Sequence, residues 1–178
     1  MIKICIVGTR SAGKTSQVKQ IINHFNDIDE GLIFCPREQF HPEYKYFVRE
    51  NIKINFKYDD QIINDFLKQK SKKRRLLVLD DAVRFSERPL HLINILHNQY
   101  NILLIITMQY PLNFGLDRQF LFDYVILLRR HYVHLLKKIH EYFVFHLIPS
   151  LGDFRDMMPN NLIVDNITNN VYLFSKLW

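Results

Sequence analysis

The sequence has few of the residues that hold small secreted proteins together or keep a chain unstructured. Its 178 residues include two cysteines, five glycines and six prolines, while 48% of all residues are hydrophobic. This balance excludes a disordered chain. Cys5 and Cys35 stand in apolar runs, which favours small core residues in a reducing compartment over a disulfide or a metal site. The length predicts one domain over residues 1–178, with a sizeable core.

Long hydrophobic runs are also missing. No stretch approaches the ~20 apolar residues of a membrane-spanning helix. The run Ile2–Val7 is too short for a secretory leader, and repeats, linkers and low-complexity tracts are absent from the sequence. We therefore expect a soluble, intracellular protein. Lys plus Arg exceed Asp plus Glu by 24 to 18, a net charge of +6, which favours a polyanionic partner but does not require one.

The most informative stretch, Gly8–Thr15, reads GTRSAGKT and matches GxxxxGK[ST] between a predicted strand and a predicted helix. Its glycines allow a tight turn whose N–H groups face phosphate oxygens, at the positive end of a helix. Lys14 offers a cation to the β- and γ-phosphates, and the Thr15 hydroxyl suits a magnesium ligand. The predicted nucleoside triphosphate site comprises Gly8, Thr9, Arg10, Ser11, Ala12, Gly13, Lys14, Thr15 and Ser16.

The remaining pattern alternates strands and helices, which indicates an α/β fold with a mostly parallel sheet. Predicted strands cover 2–7, 32–35, 52–58, 76–79, 102–107 and 120–128, followed by a hairpin over 162–174. Predicted helices cover 14–25, 88–97 and 131–140, and a further helix begins at Asp59 or Asp60. Residues 142–147 fit either a strand or the end of a helix.

Asp80 and Asp81 directly follow the apolar run Leu76–Leu79. An acidic pair at the end of a buried strand suits the Walker B position opposite a phosphate loop. There Asp80 would hold Mg²⁺, through a water, and Asp81 would orient or deprotonate the attacking water. Asp80 alone fits a helix cap equally well, and one aspartate could perform both catalytic tasks.

Gln109 follows the next apolar strand. Ligands of open α/β sheets bind at the carboxyl ends of strands. A carboxamide at that edge can hydrogen-bond both a γ-phosphate oxygen and a water molecule. A polar residue that merely ends the strand is the alternative interpretation of Gln109.

Together these motifs resemble the FtsK/HerA superfamily of ATP-driven DNA pumps, especially the genome-packaging ATPases of poxviruses and other large DNA viruses. The likeness covers roughly residues 1–130 and rests on the phosphate loop and on segments 32–36, 42–44, 54–56, 76–81 and 103–110. It implies a RecA/ASCE-like P-loop NTPase that hydrolyses ATP with Mg²⁺ and translocates double-stranded DNA as a ring-shaped homo-oligomer. It makes Asp81 the catalytic base and Gln109 the γ-phosphate sensor.

The resemblance further implies a location in the host cytoplasm, a virus factory or the virion, and capsid or other packaging proteins as partners. The chain departs from the family at an arginine that acts on the neighbouring subunit's ATP, where it carries His97 and Asn98. Arg118 resembles a downstream family arginine and is the candidate catalytic substitute, and Arg84 and Arg88 are others. For each of these arginines, an exposed surface charge is the alternative.

The segment 70–75 holds five cations in six residues. We define Lys70, Lys72, Lys73, Arg74 and Arg75 as the basic cluster. Lysine and arginine can hold DNA phosphates without reading sequence, so the cluster is a candidate DNA-binding site. The nearby aromatic residues Tyr44, Tyr46 and Phe47 could support that contact or belong to the core. A solvated loop before a strand is the alternative for the cluster itself.

Two other functions fit the residues less fully. A P-loop kinase of a nucleotide or another small molecule would want an arginine-rich lid, for which Arg129–Arg130 is a weak candidate. A nucleotide-dependent binding or scaffold protein would bind ATP and hydrolyse it slowly. The missing upstream arginine keeps this second alternative open.

Overall fold

The computed structural model describes residues 1–39, 42–45, 49–69, 71–81, 101–111, 121–129 and 133–174. The strands are β1 (Ile2–Val7), β2 (Ile28–Phe34), β3 (Ile52–Asn55), β4 (Arg74–Asp80), β5 (Ile102–Met108), β6 (Tyr124–Leu127), β7 (Asn161–Asp165) and β8 (Asn170–Phe174). The helices are α1 (Lys14–His24), α2 (Asp60–Lys68), α3 (Leu136–Ile139) and α4 (Leu151–Met157). Pro36–Gln39 and Val133–Leu135 form 3₁₀ turns, and a π-helical turn at His140–Val144 continues α3.

The described strands form a sheet in the order β3-β2-β4-β5-β1-β6-β7-β8. Strands β1 to β6 pair in parallel, and β7 and β8 add an antiparallel hairpin beside β6. The predicted α/β fold with a mostly parallel sheet is thereby confirmed. Because β5 lies between β1 and β4, the segments that follow β1 and β4 leave the same edge of the sheet, about 10 Å apart.

Helices cover both faces of this sheet. Helix α1 packs Val18, Ile21 and Ile22 onto one face, and α2, α3 and α4 contribute buried residues to the other. Strand β5 is consequently buried at every position and β4 at all but its first. A strand covered on both sides does not alternate between polar and apolar residues, which explains the continuous apolar runs in the sequence.

Several predicted boundaries differ from the observed ones. Strand β2 begins at Ile28, four residues earlier than predicted. The apolar pattern did not reveal this start, because the polar Asp29 and Glu30 lie there and are partly exposed. Strand β3 ends at Asn55. Strand β6 begins only at Tyr124, so residues 121–123 of the predicted strand lie outside it. The cap of α2 is Asp59, whose side chain accepts hydrogen bonds from two backbone N–H groups of the first turn.

The C-terminal third contains one helix that the sequence pattern did not predict. Helix α4 follows Ser150, whose hydroxyl accepts the N–H of Asp153 at 3.2 Å, and only Phe154 is buried along it, so its periodicity is weak. The segment 142–147 begins in the π-helical turn, which favours the helix alternative. The terminal hairpin is confirmed. The predicted helix 88–97 and residues 131–132 of the next one lie outside the described residues.

Both cysteines are buried and neither forms a disulfide, as expected of core residues. Burial raises the pKa of the Cys5 thiol far above its ordinary value. The part of the chain that the structure describes contains no helix whose length and hydropathy would let it cross a membrane.

Candidate functional site

The glycines of the phosphate loop are demanded by its geometry. Gly8 donates its N–H to Met108 O at 3.1 Å, and a Cβ there would lie 3.1 Å from the Cβ atoms of Ala12 and Leu128. Gly13 has φ of +99° with open space around it, so here backbone conformation requires glycine. Helix α1 begins at the next residue, Lys14. The loop therefore wraps around the start of α1, as the motif predicts.

The ammonium group of Lys14 lies inside this loop. Its Nζ donates to Gly8 O at 3.1 Å and to Thr9 O at 3.2 Å. It also pairs with Asp81 Oδ2 at 3.2 Å, and the Lys14 side chain is 4% exposed. Three acceptors match the three protons of an ammonium group. This buried charge is thus fully paired, and one of its partners comes from the end of β4.

The Asp80 carboxylate, at the end of β4, is 3% exposed and accepts hydrogen bonds on both oxygens. Oδ2 accepts from Thr15 Oγ1 at 3.0 Å and from Tyr44 OH at 2.8 Å. Cys35 Sγ approaches the same oxygen at 3.8 Å. Oδ1 accepts from Thr107 Oγ1 at 2.5 Å. An ionised carboxylate can only accept, so each hydroxyl must be the donor.

The Asp81 side chain lies in the same site as Asp80 because strand β4 ends at Asp80. Neighbouring residues of an extended strand point to opposite faces, but Asp81 has a left-handed backbone with φ of +49°. Its Oδ2 accepts from Gln109 Nε2 at 3.1 Å, and its N–H donates to Thr107 Oγ1 at 3.0 Å. A left-handed aspartate is mildly strained, and such strain is often found at functional sites.

The structure brings together five of the predicted site residues: Lys14, Thr15, Asp80, Asp81 and Gln109. They come from the ends of β1, β4 and β5 at one edge of the sheet. Of the other loop residues, Arg10, Ser11 and Ser16 are exposed. Arg118, Arg84 and Arg88, the candidates for the trans-acting arginine, lie outside the described residues, as does Lys70 of the basic cluster. Their predicted roles stay predictions.

Sequence reasoning did not give Tyr44 or Thr107 a place in this site. Tyr44 is completely buried, so it belongs to the interior and not to a DNA-facing aromatic surface. Burial, and then the charge of Asp80, raise the pKa of its phenol well above the ordinary value. The one available signal for Thr107 was a single hydroxyl in the otherwise apolar run of β5.

The described residues contain no group of three or more His, Cys, Asp or Glu side chains that could hold a metal ion. Magnesium needs none, because it keeps several waters and takes one or two protein oxygens together with substrate phosphates. The adjacent oxygens of Thr15 and Asp80, 3.0 Å apart, are ligands of this hard type. The residues present therefore fit a magnesium ion.

The described residues of the basic cluster, 72–75, lie at the opposite edge of the sheet, where β4 begins. Lys73 Nζ pairs with Asp29 Oδ1 at 3.1 Å, and Arg74 pairs with Asp27 Oδ1 at 3.2 Å. The Arg74 guanidinium also stands 4.8 Å from the centre of the Phe25 ring. The acidic residues around the start of β2 thus neutralise part of the positive charge that the sequence concentrates here.

The structure contradicts the predicted DNA contact of Arg75, which is only 3% exposed. Its guanidinium donates to Phe66 O and to Leu67 O and lies 3.7 Å from Glu30 Oε1. Phe66 and Leu67 belong to the last turn of α2, where carbonyl groups have no partner within the helix. Arg75 therefore caps α2 from inside the protein and cannot reach a DNA phosphate.

Two solved structures of viral proteins share this fold. The genome packaging NTPase B204 of Sulfolobus turreted icosahedral virus 2, in complex with AMP, matches with a TM-score of 0.71 and 13% identity, over 99% of this chain and 98% of that one. The DNA-packaging ATPase B204 of Sulfolobus turreted icosahedral virus matches with a TM-score of 0.70 and 15% identity, over 98% and 97%. The predicted P-loop NTPase fold is confirmed.

An uncharacterized protein of Acanthamoeba polyphaga mimivirus is a sequence relative of this chain. It is 26% identical in an alignment that covers 71% of this chain. The match covers 51% of that protein, so the chain spans about half the length of its curated relative. No protein-family model matches the chain.

Proposed function

We propose that this protein is an ATPase of the FtsK/HerA superfamily that couples ATP hydrolysis to the movement of double-stranded DNA, as a viral genome-packaging motor. The observation that carries the proposal is the bonded chain from Lys14 through Asp81 to Gln109. It joins the phosphate loop, the acidic pair and the strand-end amide in one buried site. A nucleotide-hydrolysing centre needs these three groups together.

In this proposal the ATP phosphates lie against the N–H groups of residues 8–16, with Lys14 on the β- and γ-phosphates. Lys14 would exchange its bonds to Gly8 O, Thr9 O and Asp81 for phosphate oxygens. Asp81, released from the lysine, would accept a proton from the attacking water. Gln109, which already donates to Asp81, would orient that water and contact the γ-phosphate.

Thr15 and Asp80 are the proposed magnesium ligands, Thr15 directly and Asp80 through a water. Magnesium, when bound, neutralises charge on the β- and γ-phosphates. The Thr15 hydroxyl could present a lone pair to the metal and keep its proton on Asp80, because a hydroxyl is both a donor and an acceptor. The fold of the two B204 proteins, described as a genome packaging NTPase and a DNA-packaging ATPase, supports an ATP-driven role.

The proposed motor is a single ATPase domain over residues 1–178 that assembles into a homo-oligomeric ring around duplex DNA. Arg118 is the proposed arginine that acts on a neighbour's ATP, and Lys72 and Lys73 are proposed DNA contacts. The motor would act in the host cytoplasm, in a virus factory or on the virion. Capsid or other packaging proteins would be its partners.

The test is steady-state ATP turnover with and without duplex DNA, combined with the mass of the assembly in the presence of ATPγS and DNA. We expect DNA to raise turnover and to stabilise an oligomer. If only an added nucleoside or nucleotide raised turnover, the protein would be a kinase. Normal ATP binding without DNA stimulation would identify a binding or scaffold protein. The Lys14→Ala variant gives the baseline for contaminating ATPases.

A further inference from the structure

Tyr44 stands out because it joins the acidic site from outside the strand ends. It belongs to the segment between the 3₁₀ turn and β3, and its side chain is completely buried. Its ring packs in the core cluster that α1 shares with the sheet. Its hydroxyl donates to Asp80 Oδ2 at 2.8 Å.

This position suits a permanent hydrogen-bond donor. A buried phenol without a partner is costly, and a buried carboxylate needs donors on its oxygens. A tyrosine hydroxyl is both a donor and an acceptor, and the buried Tyr44 hydroxyl lies 2.8 Å from Asp80 Oδ2. Tyr44 can therefore donate to Asp80 with or without a nucleotide in the site.

Asp80 Oδ2 has a second hydroxyl donor, Thr15, whose bond is 3.0 Å long. In the proposed ATPase the Thr15 oxygen would also bind the magnesium ion, so Thr15 would serve both the ion and Asp80. Tyr44 and Thr107 are the hydroxyl donors to the two Asp80 oxygens that would take no part in binding the ion. Tyr44 donates to the same oxygen as Thr15.

We propose, on the basis of the proposed function, that Tyr44 is a positioning residue that fixes the Asp80 carboxylate for magnesium. Groups that hold a metal ligand from behind typically contribute tenfold to a hundredfold to metal affinity. Tyr44→Phe removes only the hydroxyl and keeps the ring. We expect the Mg²⁺ concentration for half-maximal binding of a fluorescent ATPγS analogue to rise about tenfold. Binding of the analogue in EDTA should be unchanged.

The matched control is Tyr58→Phe. Tyr58 is partly buried and packs against the core cluster on the opposite face of the sheet, with its ring centre 5.8 Å from that of Phe34. This variant loses the same phenolic hydroxyl away from Asp80. The Tyr58→Phe variant should keep the wild-type Mg²⁺ dependence of nucleotide binding. In Tyr44→Phe, turnover at saturating Mg²⁺ should change much less than the Mg²⁺ concentration for half-maximal binding.

A second measurement keeps the proposal testable if Tyr44→Phe does not fold. With 3-fluorotyrosine incorporated at Tyr44, the ¹⁹F resonance should shift when Mg²⁺ is added to the ATPγS complex, because the hydroxyl's acceptor changes its surroundings. A residue that merely fills the core would show no such shift. An unmoved resonance would overturn the proposal.

The deciding readouts are nucleotide binding and the ¹⁹F resonance, which do not depend on hydrolysis or on DNA. An unchanged Mg²⁺ half-saturation in Tyr44→Phe would overturn the role of Tyr44 and leave the ATPase proposal intact. A wild-type protein that binds the magnesium–nucleotide complex but lacks DNA-stimulated turnover would overturn the motor and leave Tyr44 in place. Wild-type nucleotide binding that ignores Mg²⁺ would overturn the inference.

Discussion

The two edges of the central sheet carry similar kinds of charge in opposite settings. At the carboxyl edge, Lys14, Asp80 and Asp81 are largely buried. Lys14 pairs with Asp81, Thr15 donates to Asp80 and Gln109 donates to Asp81, so each contact joins residues far apart in the sequence. At the amino edge, Lys73 and Arg74 pair with Asp29 and Asp27 at the surface. The densest run of charged residues in the sequence leads into β4 at the amino edge. The candidate nucleotide site is instead formed by the few charged residues that follow apolar strands.

Burial explains the difference. An ion pair between exposed side chains contributes about 0–1 kcal/mol, because water and salt screen it. Removing one partner of a buried pair costs about 3–5 kcal/mol, because the other charge is left without compensation. Substitutions at the two edges should therefore differ clearly in their effects, and each of the following experiments measures part of that difference.

The largest effect is expected for Lys14→Ala. It removes the phosphate cation and leaves Asp81 without its partner in the loop. We expect kcat/KM for ATP to fall by about a thousandfold, comparable to the loss of a strong transition-state donor. The control is Lys19→Ala on the same helix, since Lys19 pairs only loosely with Glu43, at 3.9 Å. Its kcat/KM should stay at the wild-type level, and an active Lys14→Ala would contradict the site.

Asp81→Asn should separate binding from hydrolysis. An amide in place of the carboxylate cannot accept the proton of the attacking water, so turnover should fall by about a hundredfold. Binding of the magnesium–ATP complex should be at least as tight as in the wild type, because Lys14 no longer has an anionic competitor for the phosphates. Single-turnover hydrolysis and nucleotide titration measure the two quantities. Equal turnover in the variant would remove Asp81 from the mechanism.

Arg75 and Arg74 allow a buried charge and a partly exposed charge to be compared at adjacent positions. Arg75→Met removes the buried cap of α2, and loss of hydrogen bonds from a charged group should lower the free energy of unfolding by about 2–3 kcal/mol. Arg74→Met removes a partly exposed pair with Asp27 and should cost less than about 1 kcal/mol. Chemical denaturation measures both. Equal losses would contradict the cap.

The smallest effects are expected for Lys72→Ala and Lys73→Ala. Neither should change the free energy of unfolding by more than about 0.5 kcal/mol, because both side chains are exposed. If they touch DNA, each variant should weaken binding uniformly across sequences and reduce the salt dependence, log Kd against log salt, by about 1. DNA titrations at several salt concentrations provide the test. An unchanged slope in both variants would place the DNA contact elsewhere.

Much of the fold followed from local patterns. The runs of β4 and β5 are apolar throughout because both faces are covered, and the amphipathic spacing of α1 and the aspartate cap of α2 are local signals. The sequence pattern did not predict the start of β2 or the helix α4, because too few apolar residues mark them. Strand β2 begins with polar residues, and α4 buries a single phenylalanine.

The sequence by itself determined the chemical groups of the site, because GxxxxGK[ST], the acidic pair and the strand-end glutamine each depend on spacing along one short segment. Only the tertiary structure decided which groups meet. The strand order places β5 between β1 and β4 and so brings Gln109 to Asp81. The same packing buries Arg75 and directs Tyr44 to Asp80, because burial and partners depend on residues far apart in the chain.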